Sequence, residues 1–261
     1  MKVKQSITKY VLALSVAVLA VIACIGFTAC NMGVAAESIA FNETEVMLES
    51  KGTHSLTYTV QPENATVKVK VSDETIVKYE EGTLTALTAG ETTVIVYSTV
   101  DDTVYSECAV TVNTPSGYSA YTNRNCKFVY PSSWIRQTTP GTEVAYFDMN
   151  TSSNVNLTSE KKNNAYFNAK ASDFQNTITT TYRLMGFSVT FTDCTVSKDK
   201  YLGYNRVHVV YDYSVSGLGS IHQEQMVLNS GDKTYVLTVT DNSSGAQNRI
   251  ATIFSEFVGI K

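Results

Sequence analysis

Short runs that alternate apolar and polar residues recur along the chain, and they restrict it to a sheet-rich fold. Residues 56–60 (LTYTV) and 67–71 (VKVKV) alternate with a period of two, and each run stops at turn residues. Such alternation predicts strands with one buried face, and turn signals about every eight to twelve residues favour a β-sandwich. The abundant tyrosine and β-branched residues suit half-buried sheet positions. The fold class is therefore predicted to be mainly β.

The segment 36–113 carries a more specific pattern. Residues 62–66 read PENAT, and residues 82–94 read GTLTALTAGETTV. These motifs resemble the group 2 bacterial Ig-like (BIG2) domain, although Val71 stands where many members have tryptophan. The resemblance implies an Ig-like β-sandwich over 36–113, in a family whose modules are mostly spacers or adhesion domains.

Residues 118–261 follow a short linker and combine strand signals with helix signals. Strands are predicted at 188–197, 204–215, 222–228 and 233–240. The turn sequence Asn229-Ser230-Gly231-Asp232 joins the last two strands and predicts a hairpin.

Two helices are predicted in the same segment. The first has an apolar stripe at helical spacing, formed by Phe174, Ile178, Tyr182 and Met185. Ser172 with Gln175 is predicted to cap its start, and Gly186 to end it. The second begins near residue 244, and its stripe is Ile250, Ile253, Phe254, Phe257 and Val258. This order predicts an α+β domain with two helices packed on a curved antiparallel sheet.

Four short stretches of the C-terminal segment also match a known pattern. They are residues 128–134 (FVYPSSW), 204–213, 235–240 (YVLTVT) and 250–257. The segment resembles the PsbP-like superfamily over most of 124–258. The resemblance implies a non-enzymatic binding or assembly domain.

Residues 1–30 are predicted to be an export signal. Three lysines in residues 1–10 precede an apolar stretch from Val11 to Ala29, which is the layout of a secretory signal. The stretch ends in Phe-Thr-Ala-Cys, which resembles the lipobox of bacterial lipoproteins and implies a lipid on Cys30. We therefore expect an exported protein, anchored through Cys30 to the outer face of the bacterial cell membrane.

Three alternatives for this N-terminal segment stay open. Cys24 also fits the lipobox loosely, an uncleaved helix could span the membrane, and ordinary cleavage could follow Ala36.

The charge balance bears on partners. The chain has 20 Lys and Arg against 24 Asp and Glu, and no stretch of the sequence is rich in basic residues. This argues against nucleic acid, which needs clustered cations. We expect a monomer that requires no cofactor.

Candidate catalytic groups are sparse. Among the three histidines, His208 could act with Cys126 or Cys194, but no nucleophile motif surrounds either cysteine. His208 and His222 with Glu224 are a weak metal pattern, and the cysteine spacing matches no zinc site. We predict neither an enzyme nor a metal site. Cys126 and Cys194 could form a disulfide or remain buried thiols.

The candidate ligand surface consists of Trp134, His208 and His222. A buried position in the core is the alternative for Trp134, since a lone tryptophan after a strand is often core. We expect a non-catalytic surface lipoprotein whose Ig-like module presents the PsbP-like domain to a protein or cell-wall glycan. The alternatives are a surface hydrolase or thiol enzyme that uses Cys126 or Cys194 with His208, and a structural spacer.

Overall fold

A computed structural model describes residues 33–260 of the chain. The predicted export signal and Cys30 lie outside the described residues. Between residues 33 and 260, no helix is both long enough and apolar enough to cross a membrane.

Residues 38–112 are built from short strands, as the alternating runs predict. These are β1 (Ser38–Phe41), β2 (Glu45–Leu48), β3 (Thr53–Ser55), β4 (Tyr58–Gln61), β5 (Val67–Val71), β6 (Val77–Glu80), β7 (Thr83–Ala86), β8 (Gly90–Ser98) and β9 (Tyr105–Val112). They form sheets of order β2-β9-β8-β5 and β3-β7-β6, and β1 pairs with β4. Every second residue of β8 is buried, so that strand has one core face.

A two-residue loop shows how these strands reverse. Glu80 of β6 pairs with Thr83 of β7, so only Glu81 and Gly82 connect them. Both have positive φ angles, 47° and 80°. Two central residues with positive φ form the tight hairpin turn that matches strand twist, and glycine adopts this conformation without steric cost.

The described chain divides into two compact units, and the division does not follow the predicted linker. One unit contains residues 33–40, 59–69 and 96–106, and the other contains 41–58, 70–95 and 107–260. The second unit therefore holds the whole described part of the C-terminal segment. The sites discussed below all lie within it.

Residues 118–259 form an α+β arrangement, and the fold class predicted from the sequence is confirmed. The elements are β10 (Tyr118–Thr122), β11 (Cys126–Pro131), β12 (Ile135–Gln137), β13 (Val144–Phe147), β14 (Asn154–Lys161), a 3₁₀ turn (Ala165–Phe167), α1 (Ala171–Leu184), β15 (Val189–Tyr201), β16 (Tyr204–Val215), β17 (Gly219–Ser230), β18 (Lys233–Thr240), α2 (Ala246–Ser255) and β19 (Val258–Gly259). A seven-stranded sheet has the order β12-β13-β14-β18-β17-β16-β15, and β10-β11-β19 form a smaller sheet.

The seven-stranded sheet has a hydrophobic core on each face. Met226 and Leu228 of β17 pack in one core with Ile250 and Phe254 of α2. Val227, between them in sequence, packs in the other core with Phe174 of α1. Neighbouring residues of a strand point to opposite faces. We refer to these as the α2 face and the α1 face.

Helix α1 is capped differently from the prediction. Lys170 is the N-cap, and the Asp173 carboxylate accepts a hydrogen bond from the Lys170 backbone N–H at 2.9 Å, so Ser172 and Gln175 do not form the cap. Met185, the last residue of the predicted stripe, is 58% exposed because it lies beyond the helix end. Gly186 has φ of +87° just after the helix, as expected of a helix terminator.

The cysteines between residues 33 and 260 are thiols. Cys108, Cys126 and Cys194 are all free. Cys126 belongs to the core on the α2 face, whereas Cys194 packs against the core on the α1 face. The Cys126–Cys194 disulfide does not form because the sheet separates the two side chains.

Candidate functional site

Two of the predicted surface residues, His208 and His222, lie on the same face of the sheet. Strands β16 and β17 are antiparallel, and their register places Asp212 opposite His222 and Val210 opposite Glu224. Because alternate residues share a face, His208 and Asp212 of β16 lie on the α2 face with His222 and Glu224 of β17. We name His208, Asp212, His222 and Glu224 the histidine–carboxylate cluster.

Glu224 joins the two imidazoles. Its Oε2 lies 2.6 Å from Nε2 of His208, and its Oε1 lies 3.1 Å from Nε2 of His222. On the other side of the His222 ring, Nδ1 lies 2.8 Å from Oδ1 of Asp212. An ionised carboxylate only accepts hydrogen bonds. Both ring nitrogens of His222 must therefore carry a hydrogen in order to donate to Asp212 and Glu224. The geometry therefore favours a positively charged His222 between two negative groups.

The pKa shifts agree with this assignment. Burial alone would lower the pKa of His222, but its hydrogen bonds to Asp212 and Glu224 outweigh burial and raise that pKa above the ordinary 6.5. Burial alone would raise the pKa of Glu224, yet the hydrogen bonds from His208 and His222 lower it below 4.5. Both shifts therefore favour a protonated His222 beside an ionised Glu224.

The centre of the cluster is enclosed, whereas the side chains of His208 and Asp212 are 31% and 45% exposed. The Glu224 side chain is 7% exposed and the His222 side chain 18%. The ring of Phe254 from α2 stands edge-on to His208, with 5.4 Å between ring centroids. Burial of this kind strengthens the internal hydrogen bonds and makes an unpaired group costly.

A cavity of about 360 Å³ adjoins the cluster beside α2, and its charged groups are already paired. Arg206, which lines it, donates to Asp199 at 3.0 and 2.6 Å and lies 4.2 Å above the Tyr201 ring. Glu224 is bound by the two histidines. The cavity thus offers few polar groups that are free to act on a bound molecule.

The cysteines do not join His208. Cys194 pairs with Tyr211 across β15 and β16, and Tyr211 packs on the α1 face. Cys194 is therefore on the opposite face of the sheet from His208. Cys126 is completely buried, and that burial raises the pKa of its thiol to about 12. A thiol must ionise to act as a nucleophile, so neither cysteine forms the hypothesised thiol–histidine site.

The structure gives no support to Trp134 as part of a ligand surface. The residue is 6% exposed and belongs to the core on the α2 face with Phe128 and Leu237. This position agrees with the alternative interpretation from the sequence, in which Trp134 is a core residue. Within residues 33–260, no group of three or more His, Cys, Asp and Glu side chains is arranged to hold a metal ion.

A larger groove of about 950 Å³ opens on the α1 face, and the sequence analysis missed it. Lys198 of β15 lies opposite Val207, a residue of the core on that face, and Lys200 shares the face two residues on. We name this the lysine groove, and it is lined chiefly by Lys162, Asn164, Phe167, Asn168, Lys198, Lys200, Asn205 and Asn229. Lys198 and Lys200 come from β15 and Lys162 from the segment after β14, so the three lysines are distant in sequence and form no basic run.

Comparison with known proteins yields structural likenesses only. No family model matches the chain, and no curated protein matches it. The solution structure of cyanobacterial PsbP (CyanoP) from Synechocystis sp. PCC 6803 is 15% identical and covers 56% of this chain and 94% of its own, with a TM-score of 0.45.

Two further solved structures are more distant. A crystal structure from Bacteroides thetaiotaomicron is 11% identical, covers 56% of this chain and 49% of its own, and has a TM-score of 0.30. A protein of unknown function from Pseudomonas aeruginosa is 10% identical, covers 52% and 90%, and has a TM-score of 0.25. CyanoP bears the family name expected for residues 118–261, but likenesses at these scores assign no ligand or activity to this chain.

Proposed function

We propose that this protein is a non-catalytic, lipid-anchored surface protein whose C-terminal module binds a ligand outside the cytoplasm. In this proposal Cys30 carries the lipid, residues 36–113 are an Ig-like module, and residues 118–261 are a PsbP-like binding module. The ligand is a protein or a cell-wall glycan.

The observation that carries the proposal is the state of the acid and base groups. In the histidine–carboxylate cluster, each imidazole donates to a carboxylate. Among residues 33–260, no hydroxyl or thiol is hydrogen-bonded to either ring. Nucleophilic catalysis requires a nucleophile within hydrogen-bond reach of its base. Because the histidines and carboxylates of this cluster are hydrogen-bonded to one another, they are better suited to stabilising the sheet than to transferring protons to a substrate.

A second observation favours binding over a purely structural spacer. A spacer has no need for a concave surface, whereas the C-terminal module has the lysine groove of about 950 Å³. Ligand sites are usually clefts of about this size, lined by a few positioned polar groups. The groove therefore supports a binding role for this module.

The test is binding of the purified full chain, held in detergent, to isolated bacterial cell walls and to protease-treated walls. We expect saturable co-sedimentation with the walls. Binding that survives protease treatment identifies a glycan ligand, and binding that disappears identifies a protein. If the chain binds neither preparation, the proposal is refuted and the structural spacer is the interpretation that agrees with the result.

The enzymatic alternative needs its own control. A Cys126→Ser and Cys194→Ser double variant should bind walls as the unchanged chain does, because neither thiol lies at the groove or the cluster. Release of soluble products from the walls by the unchanged chain, lost in the double variant, would establish a thiol enzyme instead.

A further inference from the structure

The lysine groove allows the ligand to be specified more closely. We propose that it binds an anionic glycan, that is, a sugar chain that carries phosphate or carboxylate groups. This inference rests on the proposed function and names the chemical class of its ligand.

The first argument is the unbalanced positive charge. Lys162, Lys198 and Lys200 are exposed at the groove, and their ammonium groups form no ion pair with any residue between 33 and 260. The lining includes one acidic residue, Asp199, whose carboxylate is already bound by Arg206 at 2.6 Å.

That charge stands out against the rest of the chain. The formal net charge is -4. Three unneutralised ammonium groups gathered at one concave surface create a local positive potential, which attracts an anionic chain and not a cationic one.

The second argument is the character of the remaining lining. Asn168 and Asn205 have exposed side-chain amides that make no hydrogen bond among the described residues. An amide both donates and accepts, as a sugar hydroxyl does, so the two are complementary. Phe167 adds a half-buried aromatic ring to the lining, and such a ring packs against the apolar face of a sugar.

The same lining makes nucleic acid a poorer occupant. Nucleic-acid sites combine a track of many cations with several stacked aromatic rings. This groove has three lysines without an ion pair, and its aromatic lining residues are Phe167 and Tyr204. An acidic peptide is the other anionic occupant to consider, because its carboxylates would pair with the lysines and its backbone with the amides. The experiment below therefore includes an acidic polypeptide.

The experiment measures binding of the full chain in detergent to phosphomannan and to polygalacturonate. Unphosphorylated mannan and fully methyl-esterified polygalacturonate are the neutral controls, and poly-L-glutamate tests the acidic-peptide alternative. We expect binding to both anionic glycans that weakens with added salt, and much weaker binding to the neutral chains and to polyglutamate. Binding to one anionic glycan only would identify phosphate or carboxylate as the recognised group.

A matched pair of variants locates the site. Lys198→Gln with Lys200→Gln removes two exposed charges at alternate positions of β15. Lys68→Gln with Lys70→Gln makes the same change on β5, whose residues do not line the groove. We expect the first double variant to raise the Kd for phosphomannan roughly fivefold or more, and the second to leave it unchanged.

Several results would overturn the inference. These are equal weakening by both double variants, polyglutamate binding as tight as glycan binding, or no glycan binding at all. If the chain still binds cell walls and the Lys198 and Lys200 variant does not alter that binding, the proposed function stands and the lysine groove is not its site.

Discussion

Replacing Glu224 by glutamine should strongly destabilise the C-terminal module, because two histidines share this carboxylate. Glu224 accepts hydrogen bonds from His208 at 2.6 Å and from His222 at 3.1 Å, and its side chain is 7% exposed. A hydrogen bond to a charged group contributes about 1.5–3 kcal/mol, and removal of one partner of a buried ion pair costs about 3–5 kcal/mol. Glutamine keeps one acceptor oxygen but turns an N–H toward one of the imidazoles. Since both histidines are partly exposed and can regain water, we expect the free energy of unfolding to fall by about 2–4 kcal/mol.

The size of this loss should depend on pH in a defined direction. The folded pKa of Glu224 is lowered, so its contribution is full above its ordinary 4.5 and is lost as pH falls through the lowered value. The folded pKa of His222 is raised, so its contribution is full below its ordinary 6.5 and is lost as pH rises through the raised value. The gap between the unchanged chain and Glu224→Gln should therefore be widest between pH 4.5 and 6.5 and narrower at pH 9.

Urea unfolding followed by tryptophan fluorescence measures this gap. The chain has one tryptophan, Trp134, and it lies in the core on the α2 face, so the signal reports on the module that carries the cluster. Glu107→Gln is the matched control, because Glu107 is exposed on β9 and the same substitution removes no buried pair. A gap below about 1 kcal/mol at pH 5.5, or a gap of equal size at pH 5.5 and pH 9, would refute the reasoning.

Two further predictions concern the N-terminal anchor and a buried carboxylate near the C-terminus. The Cys30→Ala variant, expressed in cells, should appear in the soluble fraction while Cys24→Ala stays with the membranes; continued membrane retention of Cys30→Ala in fractionation would point to Cys24 or to a spanning helix. Glu256 is 1% exposed, and its carboxylate accepts from the Ala89 backbone N–H at 2.8 Å and from the Ser50 hydroxyl at 3.1 Å. Glu256→Ala should therefore lower the free energy of unfolding by about 2–4 kcal/mol in urea titration, whereas Glu107→Ala should not; equal effects would show that these two bonds add no stability.

Much of the strand content could be predicted because it depends on local periodicity. The predicted runs at 67–71, 204–215 and 233–240 coincide with β5, β16 and β18. The turn residues around Gly231 predicted the hairpin that joins β17 and β18, and Ser230 does pair with Lys233. Each of these features is decided by side chains a few residues apart, so the local sequence is sufficient.

Features that depend on competition between local partners were predicted less well. The start of α1 was assigned to Ser172, whereas Lys170 and Asp173 form the cap. Several nearby polar side chains can satisfy the first backbone N–H groups of a helix, and the sequence pattern does not rank them. Trp134 had two interpretations from the sequence, a ligand surface and the core, and its burial agrees with the core, the commoner position of a lone tryptophan after a strand.

The candidate sites depend on which strands become neighbours. From the alternation alone, His208 shares a face with Asp212, and His222 shares a face with Glu224. The register between β16 and β17 creates contacts across the two strands. Asp212 of β16 contacts His222 of β17, and Glu224 of β17 contacts both imidazoles. A shift of one residue in that register would place the two sets on opposite faces of the sheet.

The alternating runs with which the chain is first recognised, together with two apolar stripes at helical spacing, determined that it is a mainly β protein with short strands, tight hairpins and two helices in its C-terminal segment. Only the tertiary structure decided that His208 and His222 share one carboxylate, that Cys194 lies on the other side of the sheet from His208, and that Lys162 joins Lys198 and Lys200 at one groove. The physical reason is the range of the interactions. Periodicity and turn geometry act over a few residues, whereas a site is assembled from residues that strand pairing brings together across long stretches of sequence.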